Sequence, residues 1–493
     1  MNPLKKLLGQ TAVYGLSSIL GRTLNYLLVP LYTKVFTDTS DYGVISQLYA
    51  FVAFLMVFLT FGMETSYFRF IQDADDKQKV FRNSFLTVLA LNAVFFIGVY
   101  FFNQSVADGL LFSDHPEYIV LMCAIVVIDA ISALPLAKLR AEEKAKQFAV
   151  IQFASIGVNI LLNVILLLGF FDPTRPEEGV LFILVANLLS SLVKPLLLYK
   201  DFMGISLSFD VALFKKMFVY AFPIIIAGFA GIVNETIDRI MLKQMLTDTA
   251  NGFSAKMADA QIGIYSACYK LAMLVTILLQ AYRYAAEPFF FNQMKNQDRN
   301  KVYVKIMNFF VAAVCLVFLG VSLNIDIFKH FIANEAYWAG LDIVPVLLLA
   351  NVFLGIYFNQ SIWYKLSNQT KFGAYISLIG AFVTIVINYL FIPEYGFRAS
   401  AWATMIVYAL QMVISYILGQ KYYPIKYNLK KFTMYLGSAL LIFFIVSSIP
   451  YGDHSVIQFF INNLFILFFI RIVFFVEGIS LQSLFSRKGK KAA

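Results

Sequence analysis

The chain has 493 residues, of which 60% are hydrophobic and only 14% charged, with a formal net charge of +10. Soluble domains carry about 25% charged residues, so this composition, with a mean hydropathy of +0.74, excludes a water-soluble globular protein. The positive balance does not call for nucleic acid, because the lysines and arginines gather in alternate loops, as the orientation of a membrane protein requires.

In chain order, apolar stretches lie near residues 10–34, 43–64, 81–102, 118–138, 148–171, 180–200, 217–243, 261–285, 302–325, 341–363, 372–392, 398–418, 431–450 and 455–478. About 20 apolar residues cross a hydrocarbon core, and every stretch reaches that length. In lipid the backbone must satisfy its own hydrogen bonds, so all are predicted to be helices. The expected fold class is an all-α integral membrane protein with about 14 transmembrane helices. Odd-numbered gaps, such as Asp38 to Asp41 and Asp108 to Glu117, are acidic or nearly free of Lys and Arg. Even-numbered gaps hold Lys77, Lys79 and Arg82; Lys138, Arg140, Lys144 and Lys146; and Lys421, Lys426, Lys430 and Lys431. That alternation predicts a cytoplasmic N-terminus. An even span count then places the basic tail (Arg487, Lys488, Lys490, Lys491) in the cytoplasm too, against anionic lipid. The first span is expected to stay uncleaved, being long and containing Arg22. The longest polar gap, Thr247 to Ala260, is too short to fold alone.

A repeat lies in the helices. Thr37-Asp38-Thr39 precedes Tyr42-Gly43-Val44-Ile45-Ser46 at the start of span 2, and Thr247-Asp248-Thr249 precedes Ile262-Gly263-Ile264-Tyr265-Ser266 at the start of span 8. Ile156-Gly157 with Asn159 and Asn163 in span 5 parallels Ile379-Gly380 with Asn388 in span 11. A period of six spans keeps both halves in one orientation, with a pseudo-twofold along the membrane normal. The expected organisation is an N-terminal lobe over 1–205 (spans 1–6), a C-terminal lobe over 206–420 (spans 7–12), and spans 13–14 with the tail over 421–493. The lobes are expected to face across a central cavity. Pro30, Pro135 and Pro223 are kink signals within spans.

The three cysteines, Cys123, Cys268 and Cys315, fall inside spans without metal-type spacing, and His115, His330 and His454 are scattered through loops. No metal site, cofactor or catalytic residue is expected, and no phosphate loop or nucleophile elbow is present. Ionisable groups deep in lipid are costly unless they face a cavity or a partner. Lys194, Lys305 and Arg471 lie near cytoplasmic ends, where snorkelling explains them. Arg22 and Lys270 lie near midplane in spans 1 and 8, and two cations converging from opposite lobes suit a diphosphate. Tyr26, one turn after Arg22, is placed to stack on a sugar. In span 7, Glu235, Asp238 and Arg239 share one helix face, as an ion-pair cluster or a cavity lining. Glu64 at the cytoplasmic end of span 2 is a gate candidate, and Asp129 in span 4 a candidate for a coupling ion.

Leu24-Asn25-Tyr26-Leu27-Leu28-Val29-Pro30-Leu31-Tyr32-Thr33 resembles the first helix of bacterial polysaccharide flippases. Gly62-Met63-Glu64-Thr65 with Phe68-Arg69-Phe70, Ile237-Asp238-Arg239, Gly263-Ile264-Tyr265-Ser266 and Asn388-Tyr389-Leu390-Phe391-Ile392-Pro393-Glu394-Tyr395-Gly396 are similar to later landmarks of that family, in the same order. The resemblance is to the lipid-linked oligosaccharide flippases of the multidrug/oligosaccharidyl-lipid/polysaccharide (MOP) exporter superfamily. It implies translocation of an undecaprenyl-diphosphate-linked oligosaccharide from the cytoplasmic to the periplasmic leaflet by alternating access. The product would feed O-antigen, capsule or exopolysaccharide synthesis. It implies a cationic central cavity, for which Arg22, Asn25, Tyr26, Arg239 and Lys270 are the candidate lining and Glu64, Asp129, Glu235 and Asp238 the gate or coupling candidates, with the drive open between inward charge movement and proton or sodium exchange. The protein would lie in the bacterial inner membrane, beside polysaccharide polymerase machinery. The alternatives are a lipid II flippase and a cation-coupled multidrug antiporter of the same superfamily. A membrane enzyme is disfavoured by the short external gaps.

Overall fold

The computed structural model describes residues 23–24, 26–72, 75–203, 205–248, 252–293, 298–367, 369–450 and 455–478. Among them, thirteen helices are long and apolar enough to cross a membrane. They are α1 (Thr39–Phe70), α2 (Lys77–Phe101), α3 (Pro116–Ala141), α4 (Ala145–Gly169), α5 (Pro176–Leu197), α6 (Val211–Leu246), α7 (Ala255–Gln293), α8 (Arg299–Leu323), α9 (Glu335–Leu366), α10 (Lys371–Tyr395), α11 (Phe397–Tyr422), α12 (Leu429–Ser447) and α13 (Val456–Glu477). They correspond in order to expected spans 2–14. Most of the first expected span falls outside the described residues, and its end is the short helix Val29–Val35. The described residues hold no strand, only an isolated bridge between Asp248 and Phe253. The protein is all-α, as lipid requires of a spanning chain that does not close a barrel.

Local chemistry sets the helix starts. Side chains of Asp38, Asp76, Asp210 and Asn428 accept backbone N–H groups at the openings of α1, α2, α6 and α12. This satisfies donors that the first turn leaves free. Pro116 and Pro176 open α3 and α5, where a missing N–H costs nothing. Pro30 acts the same way in Val29–Val35, after a turn at Leu27–Leu28, so it starts a helical segment instead of kinking a continuous one. Pro135 and Pro223 do lie inside helices.

One break was not visible in the sequence. Phe61 and Gly62 both adopt left-handed backbone (φ 52° and 61°) and divide α1 into Thr39–Thr60 and Met63–Phe70. Gly62 fits because a side chain there would meet Cβ of Ala221 at 3.1 Å. The Asn92 amide donates to the Leu59 carbonyl just before the break, at 3.0 Å. Asn92→Ala would orphan that buried carbonyl and is expected to cost about 1–3 kcal/mol. Thermal unfolding of the purified protein in detergent checks this; an unchanged midpoint would show that the bond does not support the break.

Helices α6 and α7 run 36 and 39 residues. At 1.5 Å per residue these are about 54 and 58 Å long, well beyond a hydrocarbon core of about 30 Å. Both overrun the spans expected from hydropathy, because polar turns that continue a helix into water carry no apolar signal.

The described chain falls into two compact units. The first runs up to Lys270 and includes Ile332–Gly340 and Lys371–Val407; the second holds Leu271–Phe331, Leu341–Thr370 and the chain from Tyr408. This is a different division from the expected lobes, whose boundaries at 205 and 420 stay a proposal.

In the first unit, α6 packs along α10 and α1, and α3 packs against α2, α5 and α1. Its apolar core includes Met63, Tyr67, Phe81, Leu134 and Met217. Buried polar residues cross-link it. Tyr32 donates to Asn163 at 2.9 Å, Asn234 donates to the Ser377 carbonyl at 3.0 Å, and Ser400 donates to Asn388 at 2.7 Å. The two repeat-matched asparagines behave alike: Asn163 and Asn388 each donate, at 2.8 Å, to the carbonyl four residues back. The repeated glycines meet. A Cβ added at Gly43 would lie 1.8 Å from the Asp259 carbonyl oxygen, and one added at Gly263 would lie 1.8 Å from that of Thr39. The matched openings of α1 and α7 thus cross backbone to backbone, reciprocally, as a local twofold demands.

In the second unit, α8 packs against α9, α12 and α13. Asn351 donates to the Ala272 carbonyl at 3.1 Å, and Trp363 to Ser415 at 3.2 Å. Lys431 and Tyr435 at the start of α12 both engage Glu477 at the end of α13.

Candidate functional site

Several charges within the first unit's helices are paired. Lys194 and Asp129 pair at 2.7 Å between α5 and α3, and Lys138 reaches Asp201 at 2.8 Å. Glu64 pairs with Arg140, whose guanidinium also lies 5.0 Å from the Phe68 ring. The acids read as gate and coupling candidates in spans 2 and 4 are therefore each tied to a nearby cation, and Lys194 has a partner where snorkelling alone was expected. Reversing the second pair (Glu64→Arg with Arg140→Glu) is expected to restore thermal stability in detergent that either single change lowers. No rescue would show that the pair does more than bind charge to charge.

The opening of α1 carries its own charges. Asp38 pairs with Lys256 at 2.8 Å. Partial burial opposes its ionisation, but hydrogen bonds from Lys256 and Ser40 hold the carboxyl below its ordinary 3.8. Since the folded value is the lower one, this cap stabilises above the ordinary carboxylate range and is lost only as pH falls through the depressed value. Deeper in, Lys243 and Asp259 form a pair at 3.0 Å, with side chains only 1% and 7% exposed, and the ammonium sits 3.7 Å from the Phe112 ring centre.

A different arrangement surrounds Arg239 on α6, which is 9% exposed. Its Nη1 donates to Asp238 Oδ1 and to the Glu235 carbonyl, both at 3.0 Å. Its guanidinium carbon lies 5.2 and 4.8 Å from the ring centres of Tyr265 and Tyr269 on α7. The Tyr265 hydroxyl donates to the other oxygen of Asp238. An aromatic wall of this kind steadies a cation without neutralising it. Lys270, the next residue along α7, is half-buried and within electrostatic range of Arg239 and Glu235, and Glu235 itself is exposed. Two cations thus share one region with a single bonded carboxylate, Asp238.

The structure accordingly brings together Lys270, Arg239, Glu235 and Asp238, and leaves Glu64 and Asp129 in pairs elsewhere. Arg22 and Asn25 lie outside the described residues. Tyr26 is buried and within electrostatic range of Tyr42. Sequence reasoning missed Tyr265 and Tyr269, although their spacing of four on α7 directly before Lys270 is a legible signal. It also missed the Lys243–Asp259 pair, where Lys243 follows Arg239 by one turn.

A family model described as "Polysaccharide biosynthesis protein" matches residues 7–294, more than half of the chain. A comparison with curated protein sequences gives no match. Among solved structures, the lipid II flippase MurJ in an inward closed conformation is similar at a TM-score of 0.67 and 14% identity, covering 94% of this chain and 98% of that one. An inward-facing multidrug resistance MATE family transporter of the MOP superfamily is similar at 0.62 and 15%, covering 83% and 94%. An outward-facing one is similar at 0.60 and 14%, covering 85% and 98%. At these identities the likeness is one of fold.

Proposed function

The chain belongs to the polysaccharide biosynthesis protein family, and on that premise we propose that it is a flippase and not an enzyme. It carries an undecaprenyl-diphosphate-linked oligosaccharide from the cytoplasmic to the periplasmic leaflet by alternating access. The observation that carries the reading is the nearness of two cations, Arg239 and Lys270, with one carboxylate, Asp238, bonded to Arg239. A diphosphate and sugars cannot cross hydrocarbon unaided, and a site with surplus positive charge lowers the barrier for that group. Tyr269 would offer a ring face to sugars, and Arg22, Asn25 and Tyr26 would complete the lining. Glu235 is a coupling candidate for proton or sodium exchange because it is exposed beside both cations. In this reading the lobes 1–205 and 206–420 alternate access, and the protein sits in the bacterial inner membrane with both termini cytoplasmic. It delivers product to polysaccharide polymerase machinery.

The test is replacement of Arg22 and Lys270, singly, by alanine and by the other cation, with surface polymer and stalled lipid-linked intermediate measured in cells. Loss of polymer with accumulated intermediate is expected. Unchanged polymer in both alanine variants would remove the anion site. The likeness in fold to a lipid II flippase favours one second reading, in which the cargo is a cell-wall precursor. Intermediate that accumulates on a cell-wall precursor instead of a polymer repeat unit would decide for it. A cation-coupled antiporter would instead show drug efflux that the same variants alter.

A further inference from the structure

The second unit holds a pocket that the transport reading leaves unused. It lies where the first halves of α8 and α12 meet the second halves of α9 and α11, and it encloses about 160 Å³. A dry cavity of about 150 Å³ takes a benzene ring, so this one admits a single ring with a small substituent and no oligosaccharide. Its walls favour a ring over a chain. Tyr416 and Tyr427 stand with ring centres 6.5 Å apart, inclined by 45°. Phe432 adds a third aromatic side chain, and Met307 and Met412 bring thioethers. Rings gain from edge and offset contacts with other rings, and from contacts with sulfur, beyond the area they bury. Val413 and Leu429, also in the lining, are exposed, so the pocket reaches the surface of the unit. Its described lining holds no charged residue, which suits a neutral occupant.

One polar group stands out in these walls. Gln360, near the end of the Val344–Gln360 stretch of α9, lines the pocket and is 6% exposed. Its Oε1 is buried and has no hydrogen-bond partner among the described residues. A buried carbonyl without a donor forfeits the bond that water gives it in the unfolded chain. An alkyl or polyprenyl chain would leave that oxygen as it is, because hydrocarbon donates nothing. A hydroxyl both donates and accepts. It therefore pairs with the amide whether oxygen or nitrogen is turned to the occupant, and the last torsion of a glutamine turns easily.

We propose that this pocket binds a small neutral aromatic amphiphile of the phenol class, which enters from the bilayer and pairs its hydroxyl with Gln360. Arg239 and Lys270 belong to the first unit, so the pocket stands whatever cargo the protein carries. The test uses the full-length protein in detergent and two probes that differ by one oxygen, para-fluorophenol and fluorobenzene, with binding followed by fluorine NMR. Each probe is compared with itself between the wild type and the variants Gln360→Met, Val311→Phe and Phe432→Ala, so its partition into detergent cancels. Each variant is first shown to unfold cooperatively, near the wild-type temperature.

Gln360→Met keeps the length of the side chain and loses the amide. It is expected to weaken para-fluorophenol binding about tenfold, the worth of one hydrogen bond to a buried group, and to leave fluorobenzene equal or tighter. Val311→Phe puts a ring into the space and Phe432→Ala removes a wall, so both probes are expected to bind more weakly to either variant. Unchanged para-fluorophenol binding by Gln360→Met, an equal loss of both probes in that variant, or no saturable binding by the wild type overturns the inference. Wild-type affinity in whichever of the two wall variants folds overturns it too, because binding then lies elsewhere. None of these outcomes bears on the flippase reading, which turns on the polymer phenotype of the Arg22 and Lys270 variants.

Discussion

Gly263→Ala is expected to abolish most transport while leaving a folded protein in the membrane. The added methyl would start 1.8 Å from the Thr39 carbonyl oxygen. A backbone carbonyl in the first turn of a capped helix cannot step aside as a flexible side chain would, so the openings of α1 and α7 must move apart by more than an ångström. Overpacking of this size costs about 1–3 kcal/mol. Under the proposed topology the crossing lies at the periplasmic ends of both helices, so separating them holds the outer side apart. A transporter that cannot close one side cannot complete its cycle. Surface polymer is expected to fall at least tenfold, with lipid-linked intermediate retained. Gly43→Ala is expected to match it, since its methyl meets the Asp259 carbonyl at the same distance. The double variant should be little worse than either single one, because one methyl already separates the helices and the second meets no contact. Wild-type polymer from Gly263→Ala, or strictly additive losses, would show that the crossing is not a closing contact.

Arg239 carries the second large effect. The side chains of Arg239 and Asp238 are 10% and 6% exposed. Arg239→Ala leaves Asp238 a buried carboxylate facing only the Tyr265 hydroxyl and a backbone N–H. Breaking a buried pair on one side costs about 3–5 kcal/mol, so lower protein levels are expected with lower polymer. The double replacement Asp238→Asn with Arg239→Gln separates structure from transport. It removes both charges, keeps the shapes, and should recover most of the stability. If Arg239 meets an anionic cargo, polymer stays absent although the protein is restored to the membrane. If the residue only neutralises Asp238, polymer returns with the protein. Arg239→Lys adds a third reading: the charge remains, but the fork that reaches Asp238 and the Glu235 carbonyl together is lost. Partial polymer is expected.

These two effects show where the sequence was legible and where it was not. Hydropathy located the thirteen described spans because lipid leaves the backbone no partner outside its own helix, a constraint that each segment meets alone. The repeat was legible for a related reason. Gly43 and Gly263 stand at matched places in two short strings, and only a residue without a side chain lets two backbones meet there. The nearness of Lys270 to Arg239 was not legible, because depth along a span says nothing of rotation about the helix axis.

The sequence by itself determined the fold class, the order of the spans and the position of the glycines, because each follows from local composition or from a motif in one segment. Tertiary structure alone decided which charges neutralise one another. Asp129 goes to Lys194 and Glu64 to Arg140, and Arg239 is left between two tyrosine rings with Lys270 beside it. Those pairings join helices far apart in the chain, and they depend on which faces pack together, which no single segment encodes.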